Sequence, residues 1–305
     1  MERIDAIVLD FEPSTLITLN VILGLIMFGV ALSLRISDFR FLLTRPRAPL
    51  VGLTAQFLLL PAATWGLTRI LGLPPSVSLG MILVSSCPGG NISNFIAHIT
   101  RANTALSISV TAVSTAAAVV MTPLNVTFWG TRSADTRALI EEFHLSPVEM
   151  FGNVMLLLGV PLVLGMWINH RFPTFAARLV KPFKVGSIVL FLLLIAVAFQ
   201  ANFGAFLAVI GVIFLPVAIH NALAWAVGYG AGLVARLPGD DVRAVSIEVA
   251  IQNSGLGLVL IFGFFGGLGG MAVIAAWWGI WHIIAGLTMA SVWNLLHRKR
   301  GAPDD

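Results

Sequence analysis

The sequence predicts an all-α polytopic membrane protein with about nine transmembrane helices, two of them broken near the membrane midplane. Hydrophobic residues make up 58% of the 305 residues and charged residues only 10%, and the mean hydropathy is +0.95. These values lie far outside the range of soluble globular domains. Apolar runs of about 20 residues, the length that a helix needs to cross a bilayer, recur along the chain. Polar residues, glycine and proline interrupt two of these runs, at 87–94 and 252–255.

Composition also excludes several classes of protein. The ten-residue alternation of a membrane β-barrel does not occur. The one cysteine, Cys87, cannot form an internal disulfide or a thiolate metal cluster. The isoelectric point near 10.0 comes from basic residues in short loops between apolar runs, where such residues set membrane topology rather than bind nucleic acid. We therefore expect the lipid bilayer as a partner, no nucleic acid and no obligate protein partner.

The predicted spans follow from the apolar runs and the turn residues between them. In chain order they are 14–34, 48–71, a broken helix near 76–100, 103–128, 148–168, 185–201, 205–234, a broken helix near 244–265, and 271–296. Pro88 and the two glycines after it prevent a continuous third helix. Asn253, Ser254 and Gly255 interrupt the eighth.

The distribution of basic residues predicts the orientation. With nine spans, 14 of the 18 Lys and Arg residues fall on one side of the membrane, which the positive-inside rule identifies as the cytoplasm. The N-terminus is then outside and the C-terminus inside. Residues 1–13 carry four acidic residues and one arginine, unlike the basic start of a signal peptide. We expect a multi-pass protein of the cell (inner) membrane.

The two broken helices are predicted to belong to an internal repeat of opposite orientation. Leu73-Pro74 precedes the first break and Leu237-Pro238 the second, and in each case 14 residues separate the proline from the break, at Pro88 and Gln252. The third span enters from outside and the eighth from inside. Inverted repeats of this kind place binding sites where broken helices cross near the midplane. The halves are unequal, because the first repeat has one leading helix fewer than the second.

Glu248 is the residue that most needs a function. A carboxylate at the centre of a membrane helix costs about 2.5 to 3.5 kcal/mol on the insertion scale. No Lys or Arg lies in the apolar part of another predicted span, so a bound cation or a proton is expected to neutralise Glu248. The oxygen-bearing side chains near the breaks suit a hard ion such as Na⁺ better than a transition metal. Serine and threonine in membrane helices also serve as packing and hydrogen-bonding residues, and that alternative stays open.

Three separated motifs resemble the bile acid:sodium symporter family. They are Ile-Met-Phe-Gly-Val-Ala-Leu-Ser-Leu at 26–34, Cys-Pro-Gly-Gly-Asn-Ile-Ser-Asn at 87–94 and Glu-Val-Ala-Ile-Gln-Asn-Ser-Gly-Leu at 248–256. They occur in the family's order, and the resemblance runs from about residue 20 to 295. It implies a panel domain of 14–34, 148–168 and 185–201, and a core domain of 48–128 and 205–296. It also agrees with the unequal repeats, because the chain resembles the nine-helix members that lack a first helix.

The resemblance implies two sodium sites and a substrate site. The first sodium site corresponds to Ser93, Asn94, Ser107, Thr111 and Glu248. The second corresponds to Gln56, Glu248, Gln252 and the carbonyls of Val249 and Ile251. Asn91, Asn253 and His282 are the expected substrate contacts, although bacterial relatives often carry Asn where this chain has Ile283.

The sequence thus predicts a sodium-coupled symporter that moves organic anions by alternating access. The resemblance implies that the anion is bile-acid-like or a small carboxylate such as pantoate. A sodium-regulated channel or another ion-coupled carrier is the alternative. A continuous polar lining along several helices would favour a channel, whereas polarity here is confined to the crossing. An intramembrane enzyme is disfavoured. Ser254 is not in a Gly-x-Ser-x-Gly motif, and there is no second intramembrane carboxylate to form an aspartic dyad.

Overall fold

The computed structural model describes residues 13–90, 92–143, 147–201 and 203–299, and these residues are almost entirely helical, with no strand. In chain order the helices are α1 (Pro13–Ala31), α2 (Ile36–Thr44), α3 (Arg47–Thr54), α4 (Leu60–Leu71), α5 (Pro75–Ser85), α6 (Ile92–Ile99), α7 (Thr104–Gly130), α8 (Ala134–Glu142), α9 (Pro147–Val154), α10 (Val160–Arg171), α11 (Pro173–Ala201), α12 (Phe203–Val234), α13 (Gly239–Ala250), α14 (Ser254–Phe264) and α15 (Gly269–Lys299). Single π-helical turns, Ala55–Leu59 and Met155–Gly159, join α3 to α4 and α9 to α10. The predicted all-α membrane fold is confirmed.

Several helices have the length and composition of membrane spans. Five stretches of the described chain qualify: Arg47–Leu71, Thr104–Gly130, Phe151–Arg171, Ile213–Val234 and Gly269–Leu296. Two shorter apolar helices, α5 and α14, are halves of the broken helices. The count of nine spans stays a prediction.

Two predicted boundaries differ from the structure. Helix α11 begins at Pro173, not at 185, because proline is favoured in the first turn of a helix and because charged side chains such as Arg178 and Lys181 are compatible with its exposed surface. The segment between the predicted spans 103–128 and 148–168 contains α8, whose Thr136 hydroxyl donates to the Gly130 carbonyl at 2.5 Å.

Both predicted breaks are present, and they pair with each other. The main chain leaves helical geometry between α5 and α6 and again between α13 and α14. Gly89 and Gln252 form an antiparallel bridge. The Gly90 amide donates to the Ile251 carbonyl at 2.7 Å, and the Asn253 amide donates to the Pro88 carbonyl at 2.9 Å. The two segments therefore provide hydrogen-bond partners for each other's backbone groups. Irregular backbone buried inside a membrane needs such partners, because no water is available there.

The turns that lead into the two broken helices have the same backbone shape. Gly72 and Arg236 both adopt the left-handed conformation, with φ of +57° and +51°. The next residue donates its amide back into the preceding helix in both cases, Leu73 to Thr68 and Leu237 to Gly232. Proline follows, with φ −53° and ψ 148° at Pro74 and φ −53° and ψ 150° at Pro238. This local equivalence supports the internal repeat.

Loops predicted to lie on the same side of the membrane contact one another. On the predicted cytoplasmic side, the Asn103 side-chain amide donates to the Asp241 carboxylate at 2.7 Å, and the Arg243 guanidinium donates to the Arg101 carbonyl at 2.8 Å. On the opposite side, Arg69 donates to the Ser133 hydroxyl at 3.0 Å. The contacts agree with the grouping of loops that the basic residues predicted.

Most buried residues belong to one apolar core around the broken helices, and a smaller cluster of Ala31, Leu34, Ala112 and Leu162 lies between α1, α7 and α10. Glycine lets helices approach closely at the main core. A Cβ added to Gly80 would come within 2.8 Å of the Met271 Cα, and one added to Gly228 within 2.7 Å of the Ser246 Cα. The division into core and panel domains stays a prediction.

Candidate functional site

Glu248 is fully buried in the last turn of α13 and receives three hydroxyl hydrogen bonds. Ser93 Oγ donates to Oε2 at 2.7 Å and Ser107 Oγ to the same oxygen at 3.1 Å. Thr111 Oγ1 donates to Oε1 at 2.6 Å. No basic side chain among the described residues forms an ion pair with this carboxylate. Among the described residues, only neutral donors therefore contact this carboxyl group.

Local helix geometry explains how the three hydroxyls meet at one carboxylate. Ser107 and Thr111 are four residues apart on α7, so they occupy the same helix face. Ser93 lies in the first turn of α6, immediately after the break. The first predicted sodium site is thus assembled from α6, α7 and α13.

The cluster contains more hydrogen-bond acceptors than protons. Thr111 Oγ1 has one proton, yet it lies 2.6 Å from Glu248 Oε1, 2.9 Å from the Ser107 carbonyl and 3.3 Å from Asn94 Oδ1. The single Ser107 hydroxyl proton is likewise shared between Glu248 Oε2 and Asn94 Oδ1, the latter at 2.9 Å. A buried group of oxygens with surplus lone pairs and a net negative charge favours a hard cation.

Two glycines create the space beside this carboxylate. A Cβ added to Gly89 would overlap Glu248 Oε1, and one added to Gly90 would come within 2.9 Å of the Gln252 carbonyl oxygen. The Gly-Gly pair is therefore required by close approach of the two broken segments, which the sequence alone could not distinguish from ordinary helix packing.

The residues of the second predicted sodium site also lie together at the crossing. Gln56 Nε2 donates to Gln252 Oε1 at 2.8 Å, and Gln252 Nε2 returns a bond to Gln56 Oε1 at 3.2 Å. Gln252 Nε2 also donates to the Val249 carbonyl at 2.6 Å. The Ile251 carbonyl accepts from the Gly90 amide in the bridge. Unlike the Glu248 cluster, these amides satisfy one another.

Gln56 lies in the π-helical turn between α3 and α4. Such single-turn insertions are frequent at functional sites, because they alter which side chains face inward. This turn gave no signal in the sequence.

The three residues predicted to contact the substrate differ in where the structure places them. Asn91 lies outside the described residues. Asn253 caps α14, where its Oδ1 accepts from the Leu256 amide at 3.1 Å. His282 is buried on α15 and shares a helix face with Gly279 and Gly286, at which an added Cβ would meet Ser254 and Ile96. That face packs on the broken helices, but no hydrogen bond in the described chain joins His282 to the Glu248 cluster.

The sequence interpretation missed two supports of the crossing. Asn221 of α12 is buried and donates from Nδ2 to the Ala250 carbonyl at 2.8 Å, which satisfies a carbonyl at the end of α13. Gln56 Nε2 also donates to the Cys87 main-chain carbonyl at 2.7 Å. Asn221 could have been noticed as an amide inside an apolar span, where polar residues commonly bridge helices.

The chemistry of the donors fits an alkali cation. Within the described residues, no group of three or more His, Cys, Asp and Glu side chains could hold a metal ion. The oxygens at the crossing come instead from one carboxylate, hydroxyls, amides and carbonyls. Hard oxygen donors with a single negative charge suit a monovalent hard ion.

Comparison with known proteins decides the family. The model of the Sodium Bile acid symporter family matches residues 20–209. The chain belongs to this family. It is 30% identical over 300 residues to the uncharacterized sodium-dependent transporter YocS of Bacillus subtilis. The matched region covers 97% of this chain and 90% of that protein. The predicted membership of a family of sodium-dependent transporters is confirmed.

Eukaryotic relatives share the same region of the chain. The probable sodium/metabolite cotransporter BASS1, chloroplastic, of Arabidopsis thaliana is 33% identical over 290 residues, 92% of this chain and 66% of that protein. The ileal sodium/bile acid cotransporter of Cricetulus griseus is 28% identical over 258 residues, 82% of this chain and 69% of that protein. These relatives are named as transporters, in agreement with the expectation that the chain is not an enzyme.

Proposed function

We propose that this family member is a sodium-coupled symporter that carries organic anions inward across the cell (inner) membrane, with its N-terminus outside and its C-terminus in the cytoplasm. The observation that carries the proposal is the Glu248 cluster: a fully buried carboxylate without an ionic partner in the described chain, surrounded by oxygens that outnumber the available protons. A bound sodium ion would supply the missing positive charge.

Two sodium ions are proposed per transport cycle. Ser93, Asn94, Ser107, Thr111 and Glu248 would hold the first, with the hydroxyls turning their lone pairs toward the ion. Gln56, Gln252, Glu248 and the carbonyls of Val249 and Ile251 would hold the second. Because the Gln56 and Gln252 amides bond to each other in this structure, the second ion has to compete with an existing pair, whereas the first enters a region already rich in acceptors. We therefore propose that the Glu248 cluster binds first.

The substrate is proposed to bind on the broken helices beside the sodium sites. Asn253, Asn91 and His282 are its proposed contacts, and the class is an organic anion, either bile-acid-like or a small carboxylate such as pantoate. Asn253 already uses Oδ1 to cap α14, so it would use its amide protons toward an anion. Ion and substrate are then coupled because both bind the same pair of crossing segments, at Ser93 and Glu248 on one side and at Asn253 on the other.

A thermal-shift screen tests this proposal on the purified full chain. Sodium chloride is titrated against choline chloride at constant ionic strength, and a panel of bile acids, pantoate and other carboxylates is added with and without sodium. A ligand at about 100 times its Kd stabilises the folded state by about 2.7 kcal/mol. We expect stabilisation by sodium, and a larger effect of the correct anion when sodium is present. Equal effects of sodium and choline would contradict the proposal.

Transport in proteoliposomes separates the symporter from a sodium-regulated channel. A symporter accumulates the anion above its external concentration when only a sodium gradient is imposed, whereas a channel stops at equilibrium. Accumulation that ends when the sodium gradient is dissipated supports coupling. Sodium-activated flux that never exceeds equilibrium supports the channel.

A further inference from the structure

A cavity lies away from the broken helices, at the end of α1 that faces the predicted cytoplasm. It has a volume of about 730 Å³ and opens between the α1–α2 junction, the end of α10 and the first turns of α11. This volume is within the range of ligand-binding clefts. The Asn169 amide donates to the Leu34 carbonyl at 2.8 Å across it, and so ties α10 to α1. None of the residues lining this cleft belongs to the proposed sodium or substrate sites.

The lining of the cleft is divided between an apolar floor and a polar rim. Leu32 and Leu34 are buried beneath it, with Met166 and Val180 beside them. The rim carries polar and basic side chains: Ser33, Arg35, Ser37, Asn169 and His170. Such a surface matches a ligand with an anionic head and an apolar body, rather than a free inorganic ion.

Positive charge is concentrated around the rim. Arg35 and His170 line it and are exposed, and Arg178 and Lys181 extend the positive charge along α11 next to the lining residues Ala177 and Val180. The nearby carboxylate, Asp38, accepts the Arg35 main-chain amide at 2.7 Å. Guanidinium groups are typical of phosphate recognition.

Exposed aromatic and basic residues beside the cleft indicate that it lies at the depth of lipid headgroups. Trp167 and Phe172, at the end of α10, are 57% and 49% exposed and contact each other edge to face with ring centroids 6.1 Å apart. The Arg171 guanidinium lies 5.7 Å from the centre of the Phe172 ring. Exposed aromatic and basic residues at the end of an apolar helix are characteristic of the membrane–water interface.

We propose that this cleft binds the phosphate headgroup of an anionic phospholipid from the cytoplasmic leaflet. Arg35 and His170 contact the phosphate, Ser33, Ser37 and Asn169 bond the glycerol and headgroup oxygens, and the acyl chains leave over the half-buried Met166 and Val180. Basic pockets between membrane helices on the cytoplasmic side are known to accept such headgroups. A bound lipid connects α1, α10 and α11 and stabilises this group of helices against separation.

The test uses the full chain in nanodiscs of phosphatidylcholine to which phosphatidylglycerol is added in steps, with the melting temperature as readout. Arg35→Gln and His170→Gln each remove a proposed phosphate contact. Arg45→Gln is the matched control, because it removes the same charge at the other end of α2 from Arg35 but does not line the cleft. We expect Arg35→Gln to weaken the response to phosphatidylglycerol about tenfold, the effect of one lost charged hydrogen bond, and Arg45→Gln to retain it.

A parallel titration in detergent distinguishes the possible sources of the phosphate. Glycerol 3-phosphate and inorganic phosphate are compared with short-chain phosphatidylglycerol. The proposal expects the lipid to stabilise at much lower concentration because it also covers the apolar floor; equal potency of inorganic phosphate would overturn the assignment to a lipid. Equal losses in Arg35→Gln and Arg45→Gln would overturn the site itself. Sodium-dependent stabilisation is measured in every variant, because it reports on the Glu248 cluster and shows that each variant is folded.

Discussion

Replacing Glu248 with glutamine removes one charge from the centre of the protein and changes little else. The side chain keeps its shape, while the three hydroxyls that now donate to the carboxylate reorient around an amide. A cation about 4 Å from a carboxylate gains about 4 kcal/mol at an effective dielectric constant of 20. Loss of that attraction corresponds to roughly a thousandfold lower affinity for sodium. We therefore expect Glu248→Gln to abolish stabilisation by sodium throughout the millimolar range.

The sodium-free state of this variant provides an internal check. A buried carboxylate without a counter-ion destabilises the fold, so its neutral replacement is expected to melt at the same temperature as the sodium-free parent, or higher. A variant that had merely misfolded would melt lower. Low pH should have the same effect as the mutation, because a carboxylate has to be deprotonated to bind the ion. The stabilisation of the parent protein by sodium is therefore expected to weaken in acid.

The assay is a sodium titration of melting temperature, together with sodium-driven uptake in proteoliposomes. Glu141→Gln is the matched control, because Glu141 is an exposed carboxylate on α8 outside the site. It should keep the full sodium response. If Glu248→Gln still transported with an unchanged sodium dependence, the assignment of Glu248 as a shared sodium ligand would be refuted.

Four further predictions follow from the same geometry. Gln56→Ala should lower the Hill coefficient for sodium from about two toward one, measured by uptake, and an unchanged coefficient would exclude Gln56 from the second site. Thr111→Ala should weaken sodium binding about tenfold and substrate binding by a similar factor through linkage; uncoupled effects in calorimetry would argue against shared control. Gly89→Ala should abolish sodium stabilisation because its Cβ would overlap the Glu248 carboxylate, whereas Gly66→Ala, with no atom within 4 Å, should be tolerated; similar losses in both would show that the effect is not local. Two sodium ions with a monovalent anion carry one net charge, so an inside-negative potential of 100 mV should raise accumulation roughly 40-fold, and voltage-independent uptake would mean that only one site is coupled.

The sequence alone predicted those features of the protein whose physical signal is local. Apolar runs of membrane-spanning length and the interruptions at Pro88 and Asn253 follow from hydropathy and backbone chemistry, which are read directly from residue order. The equal spacing after Pro74 and Pro238 predicted a repeat, and the two prolines have the same backbone conformation. Glu248 could be singled out because a charged side chain in an apolar helix is costly whatever its tertiary contacts are.

Tertiary structure decided what depends on distances between remote parts of the chain. Ser93 and Glu248 are 155 positions apart, and only packing of α6 against α13 brings them within 2.7 Å. The reciprocal Gln56–Gln252 pair is likewise a consequence of the crossing. The π-helical turn at Gln56 leaves no local pattern. The Asn221 amide does stand out in an apolar span, but only the tertiary structure shows that its partner is the Ala250 carbonyl. The start of α11 was predicted 12 residues late, because hydropathy reports where a helix enters the apolar layer, whereas backbone hydrogen bonding determines where the helix begins.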